Sequence, residues 1–120
     1  MANAATSAEQ PKPFDIVVVP FPFTDRNSSK RRPALVLSSA GFNQATGHSV
    51  LAMITSADQS SWLGDLTISI LRPTGLPQPC LVRMKLFTLD RRLIVRIAGN
   101  LSQGDRKRLK ASWADLLAIS

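Results

Sequence analysis

"KRRPALVLSS", residues 30–39, joins three consecutive cations to a proline and then to a run of strand-forming residues, with no polar spacer. The aliphatic and β-branched density after the proline reads as a strand. A proline cannot donate to a ladder, which assigns Pro33 to the first position of that strand. The preceding "TDRNSSKRR" (24–32) is rich in turn formers and reads as a polar loop. Arg32 is therefore expected at the junction of loop and sheet, a cation held still by the rigid strand beside it.

Working outward, "FDIVVVPFPF" (14–23) is dense in β-branched residues and stops at Pro20 and Pro22, so residues 14–20 are expected to form a first strand. "AGFNQATGH" (40–48) is broken by Gly41 and Gly47 and suits a turn or a single helical turn. "SVLAMITS" (49–56) returns as a third strand, "ADQSSWLG" (57–64) as a loop, and "DLTISIL" (65–71) alternates as a fourth strand. After the Pro/Gly turn "RPTGLPQP" (72–79), "CLVRMKLF" (80–87) and "LIVRIAGNLS" (93–102) supply two more strands around "TLDRR". The period then changes. Leu109, Trp113, Leu116 and Leu117 fall on one helical face, and Ser102 three residues before Asp105 resembles a capping box. A helix is expected over about 103–118. Five or six short strands and one terminal helix predict a mainly β fold with α, a small, strongly curved sheet or open barrel with the helix packed on it.

A chain of 120 residues, 44% hydrophobic, is one domain with a core of its own. Residues 1–13, small and polar and ending in two prolines, are expected to be a disordered leader to a single domain over 14–120. That leader has neither a basic nor an apolar region of a secretory signal, and no stretch nears the roughly 20 apolar residues of a membrane span. A cytoplasmic protein is expected. A lone Cys80 excludes an intramolecular disulfide, and with one histidine, His48, there is no Cys/His cluster for zinc. Net charge is +7, and residues 81–110 alone carry nine cations against two acids, which favours a polyanionic partner.

The acidic residues are scattered with no D-x-D or E-x-x-H spacing, against a two-metal phosphodiesterase. No phosphate-cradling G-x-x-x-x-G-K-[ST] loop is present, against an NTPase. What remains is Arg32 at the base of one strand and "ITS" (54–56) at the end of another. With "DIVVVPFPFTD", "KRRPALVLSS", "MITS" and "LFTLDRRLI", the chain closely resembles the MazF/PemK family of bacterial toxins from Phe14 to the terminal helix.

The resemblance implies an SH3-like barrel or sheet of five to seven strands, a CcdB-related plasmid-maintenance toxin fold. It also implies a homodimer and a type II toxin that cleaves single-stranded RNA without metal or other cofactor, leaving a 2′,3′-cyclic phosphate and a 5′-OH. The family's catalytic arginine and threonine match Arg32 and Thr55. Arg83, Lys85, Lys30, Arg31, Thr24 and Ser56 are expected to contact RNA around them. The implied partner is an antitoxin whose acidic C-terminal tail folds onto the basic groove. A non-catalytic RNA- or protein-binding module and a gyrase-poisoning toxin are the alternatives on the same fold; the R-P and Thr signatures argue against the latter.

The chemistry stands without the family. RNA carries its own nucleophile, so a ribonuclease need only align the 2′-OH, accept its proton and stabilise a crowded phosphorane. A guanidinium, always charged and two-pronged, suits the last task. Thr55 is a poor base and is expected to position rather than abstract. Some relatives carry an acidic residue where this chain has Lys85, which leaves Asp25, His48, water or a backbone group to accept the proton. Phe21 and Phe23 suit sealing a barrel end or stacking on bases, Trp113 suits the core, and Trp62 an exposed contact.

Overall fold

The computed structural model describes residues 10–21 and 30–118. Six strands form one antiparallel sheet: β1 (Asp15–Phe21), β2 (Lys30–Val36), β3 (His48–Ser56), β4 (Leu66–Thr67), β5 (Cys80–Asp90) and β6 (Arg96–Asn100). They are ordered β4-β5-β3-β2-β1-β6. A short helix α1 (Ala40–Thr46) links β2 to β3, and α2 (Gln103–Leu117) closes the chain. The curled half-barrel with its terminal helix is the fold the sequence predicts.

Alternation along the strands builds two cores. One face collects Ile16, Leu35, Ala52, Ile54 and Val82 under Leu109 and Trp113 of α2. The other collects Val17, Val19, Ala34, Val36, Leu51 and Leu89. Each of the larger side chains contributes about 1.5–3 kcal/mol by leaving water. Trp113 also satisfies its ring N–H, donating to the Gly64 carbonyl at 2.7 Å. Leu116 and Leu117, expected on the same buried face, are instead 41% and 38% exposed.

Four local departures from the sequence reading have identifiable causes. The second strand begins at Lys30, so Pro33 lies inside it. The segment 40–46 is a full α-helix, capped at its start by Ser39, which accepts from the Phe42 N–H, and at its end by Gly47 at φ 70°. The fourth strand shrinks to Leu66–Thr67: the Ile68 N–H still donates to the Cys80 carbonyl, and the donors after it are taken by a side chain. Asp105, fully buried, accepts from the backbone N–H groups of Ser69 and Ile70 and from the Ser69 hydroxyl. For the same reason the capping box is half formed: Ser102 accepts from the Asp105 N–H, but the Asp105 carboxylate faces the 69–70 segment.

Residues 1–9 of the expected leader lie outside the described residues. Pro11, within its last part, is buried, and its carbonyl accepts from the side-chain amide of buried Asn43 at 3.0 Å.

Candidate active site

Pro33 decides where the site forms. Backbone groups along a strand point alternately to its two neighbours. The Val36 carbonyl accepts from Phe14 on the β1 side, while the Leu37 N–H donates to Val50 on the β3 side. Odd-numbered residues of β2 thus face β3, and the next β2–β3 exchange after Leu35↔Ala52 would be Pro33 with Ile54. Pro33 has no N–H to give. The β2–β3 ladder accordingly ends at Ala34↔Met53. Beyond it, β2 stays paired with β1 as far as Lys30, and β3 with β5 as far as Ser56. The two strands part, and a cavity of about 350 Å³ occupies the split.

Arg31, Arg32 and Pro33 form one wall of the cavity and Ile54, Thr55 and Ser56 the opposite one. Arg96 and Ala98 of β6 and the Gly75–Gln78 turn complete it. That turn reaches the site only because two glycines let backbones touch. A Cβ at Gly99 would stand 2.2 Å from the Pro73 carbonyl oxygen, and one at Gly75, φ 74°, would stand 2.3 Å from that of Ala98. A second hollow continues past Ser56 along Ala57, Asp58, Gln78 and Pro79.

Continuing the β2–β3 register two residues past its end sets Arg32 opposite Thr55. Arg32 and Thr55 alternate onto the face of the second core, whereas Arg31, Ser56 and Arg96 alternate onto the face beneath α2. In an intact sheet only one set would face a given groove. At a split both sets reach the gap, and all five line it. The Arg32 guanidinium lies 5.2 Å from the centroid of the Phe21 ring, a stacking that fixes it without neutralising it. The side chains of Arg31, Arg96 and Thr55 make no hydrogen bond or ion pair with a described residue. Ser56 instead donates to Asp58 at 2.6 Å. Among the described residues no carboxylate lines the first cavity.

The remaining candidates lie elsewhere. Arg83 is held by Asp65 in a two-pronged pair, Nε to Oδ1 at 3.0 Å and Nη2 to Oδ2 at 2.9 Å, and also donates to the Ser60 carbonyl. Its guanidinium, against burial and with help from the Trp62 N–H, holds the Asp65 carboxyl below its ordinary range. Lys85 sits on a bulge: Met84 and Lys85 have no partner on β3, and the ammonium stands 4.5 Å from the Trp62 ring centroid. Both residues therefore fasten the 57–65 loop to β5, and neither lines the cavity. Lys30 begins β2, exposed, one residue beyond Arg31. Thr24, Asp25 and Phe23 lie outside the described residues. His48 opens β3, seven residues and about 23 Å from Thr55 at the usual rise, with its Nδ1 against the Thr46 carbonyl. Cys80 is buried, and burial pushes its thiol up. Among the described residues no three His, Cys, Asp or Glu side chains cluster to hold a metal, and no helix is long and apolar enough to cross a membrane.

Sequence reading missed Arg96, Gln59 and Gln78 as lining residues. A signal existed for the first: Arg96 is the only cation inside the otherwise apolar run "LIVRIAG".

Residues 12–117 match the model of the PemK-like, MazF-like toxin of type II toxin–antitoxin systems. No curated protein matches the sequence. Among solved structures, the fold is similar to an endoribonuclease in complex with its cognate antitoxin from a mycobacterial species, with TM-score 0.72, 14% identity, and 92% of this chain and 97% of that one covered. It is similar to MazF of Deinococcus radiodurans, with TM-score 0.68 and 24% identity over 91% and 97% of the two chains. It is also similar to the toxin MazF-mt6 of Mycobacterium tuberculosis, with TM-score 0.69 and 18% identity over 88% and 98%.

Proposed function

The chain belongs to the PemK-like, MazF-like family of type II toxins, and from that premise we propose that it is an endoribonuclease acting on single-stranded RNA. The observation that carries the reading is the strand split. It gathers Arg31, Arg32 and Arg96 around one cavity with no carboxylate among its described lining residues, and sets Thr55 across from Arg32. Three guanidiniums sharing a site repel one another unless an anion enters, and a phosphodiester is an anion they can grip in pairs of hydrogen bonds.

In the proposed reaction the ribose 2′-oxygen attacks the adjacent phosphorus, the bond from phosphorus to the 5′-oxygen breaks, and that oxygen leaves as a 5′-OH. The 3′ side retains a 2′,3′-cyclic phosphate. Arg32 donates to the non-bridging oxygens as negative charge builds on them, the interaction that lowers the barrier. The Thr55 hydroxyl, uncommitted within the described chain, orients the phosphate or the 2′-OH. Among the described residues no carboxylate or imidazole lines the cavity. The 2′-OH proton therefore passes to water or to Asp25 in the 22–29 segment.

By the same reading the natural inhibitor is an antitoxin whose acidic segment competes with RNA for these arginines, the toxin acts as a homodimer, and it works in the cytoplasm, where mRNA is translated. Incubating the protein with single-stranded RNA in EDTA tests the activity. Fragments ending in 2′,3′-cyclic phosphate and beginning with 5′-OH are expected. RNA that is bound but uncut would replace the enzyme by a binding module, and inhibition of gyrase in place of cleavage would indicate the gyrase-poisoning alternative.

A further inference from the structure

Arg96 enters the cavity from the far edge of the sheet. It is paired with Val18 on β1, and Val18 is paired in turn with Pro33 on β2. Two strand spacings, about 10 Å, separate its backbone from the Arg32 wall, a gap that two arginine side chains can shorten between them. Ion pairs tie up the other arginines with a nearby carboxylate: Arg83 with Asp65, Arg92 with Asp90 and Arg108 with Asp105. Among the described residues Arg96 has no such partner, and it faces the same space as Arg31 and Arg32. A scissile phosphodiester offers two non-bridging oxygens, and Arg32 and Arg96 reach the gap from different faces of the sheet, so a guanidinium is left for a neighbouring phosphate.

Resting on the endoribonuclease reading, we propose that Arg96 binds a second backbone phosphate, adjacent to the one that is cut, and so fixes the register of the RNA across the split. Arg32 and Thr55 hold the scissile phosphate on one side of the gap. Arg96 takes its neighbour on the side beneath α2. The RNA backbone thereby passes through the split rather than over one face of the sheet.

Arg96→Gln is exposed enough to fold normally and is compared with wild type and with Lys107→Gln, which removes one charge from the exposed surface of α2. On an oligonucleotide with several phosphates, Arg96→Gln is expected to raise KM roughly tenfold, the loss of one charge-assisted contact, with kcat within twofold. On a dinucleoside monophosphate, which offers only the scissile phosphate, the wild type and Arg96→Gln should differ less than twofold. Binding of a 2′-O-methyl oligonucleotide, which cannot be cleaved, is measured against salt in parallel. Arg96→Gln should make the log–log slope shallower by about 0.7, while Lys107→Gln leaves it unchanged. Equal loss on both substrates, or a slope equal to wild type, would overturn the second-phosphate assignment. If wild type cuts nothing, the endoribonuclease reading fails and the binding slope alone decides whether Arg96 holds a phosphate.

Discussion

Arg32 and Thr55, the proposed catalytic pair, illustrate how little at the residue scale distinguishes one side chain from its neighbour. Arg31 and Arg32 are the same residue type one position apart, as are the hydroxyls of Thr55 and Ser56, and all four line the split. What separates them is alternation and prior commitment: Arg32 and Thr55 share a face, and Ser56 is already donating to Asp58. Arg32→Ala is expected to slow cleavage at least about a hundredfold, the usual loss of one transition-state donor, with unchanged thermal unfolding. Arg32→Lys should also fail, because an ammonium cannot reproduce the fork. Cleavage by folded Arg32→Ala at the wild-type rate would remove Arg32 from the site. Thr55→Val keeps shape and strand propensity while deleting the hydroxyl, so single-turnover rates should fall with RNA affinity little changed. Ser56→Ala should do much less; the reverse order would mean that Ser56, on the α2 side, carries the function. The sequence singled out Arg32 by its place before the strand and "ITS" (54–56) as a stretch, and chose Thr55 within it by resemblance. Alternation alone could not choose between Arg31 and Arg32 before the sheet's faces were known.

At the scale of elements, the strands were legible where apolar runs are long and β-branched, as in β1, β3 and β5, and illegible where tertiary contacts override propensity. "DLTISIL" alternates well, yet beyond the Ile68 N–H, which still reaches Cys80, Asp105 captures the Ser69 and Ile70 N–H groups from far along the chain. α1 was half visible: Gly47 marked its end, but the Ser39 cap went unread. Pro33 was recognised as a ladder breaker and placed at the start of a strand, whereas it interrupts one ladder while the other continues. That distinction creates the cavity, and it is testable. Pro33→Val restores an N–H facing Ile54 in a residue of high strand propensity. The β2–β3 ladder should then zip further and narrow the split. Cleavage is expected to fall at least tenfold, while amide exchange in Ile54–Ser56 slows and unfolding stability stays the same or rises. Full activity in Pro33→Val would show that the split does not depend on the missing donor. The N-terminal boundary gives a companion test. A chain beginning at residue 14 loses the Pro11 carbonyl that satisfies buried Asn43, and should be about 1–3 kcal/mol less stable than one beginning at residue 10.

Across the whole molecule, the sum of the charge was legible and its distribution was not. The nine cations of residues 81–110 look like one patch in sequence, yet the sheet order sends β5 to one side of β3 and β6 to the opposite edge beside β1. Arg83, Arg92 and Arg108 are paired with Asp65, Asp90 and Asp105, and Arg106 and Lys110 lie over Phe14, so Arg96 is the one member lining the cavity. The paired carboxylates set how stability depends on pH. Burial alone would push Asp105 up, but the Ser69 hydroxyl, the Ser69 and Ile70 N–H groups and Arg108 together hold it below its ordinary 3.8. Arg83 does the same for Asp65, and Arg92 brings Asp90 to about 2. A carboxylate whose pKa is lower folded than unfolded stabilises the native state above its unfolded pKa, and that stabilisation is lost as pH falls through the folded value. Stability in urea should therefore be level from pH 7 to about 5 and decline from about pH 4 downward. Asp105 matters most, being the only one of the three that is fully buried and the one that ties α2 to the segment leading into the Gly75 turn. Asp105→Ala leaves two backbone donors unmet and should cost about 3 kcal/mol at pH 7. The cost should shrink toward pH 2, because the wild-type carboxylate takes up its proton as the pH falls through its lowered pKa. If the variant and wild type instead differ by the same amount at pH 7 and pH 2, the carboxylate's charge is not what holds the helix to the sheet, and shape alone must account for the loss.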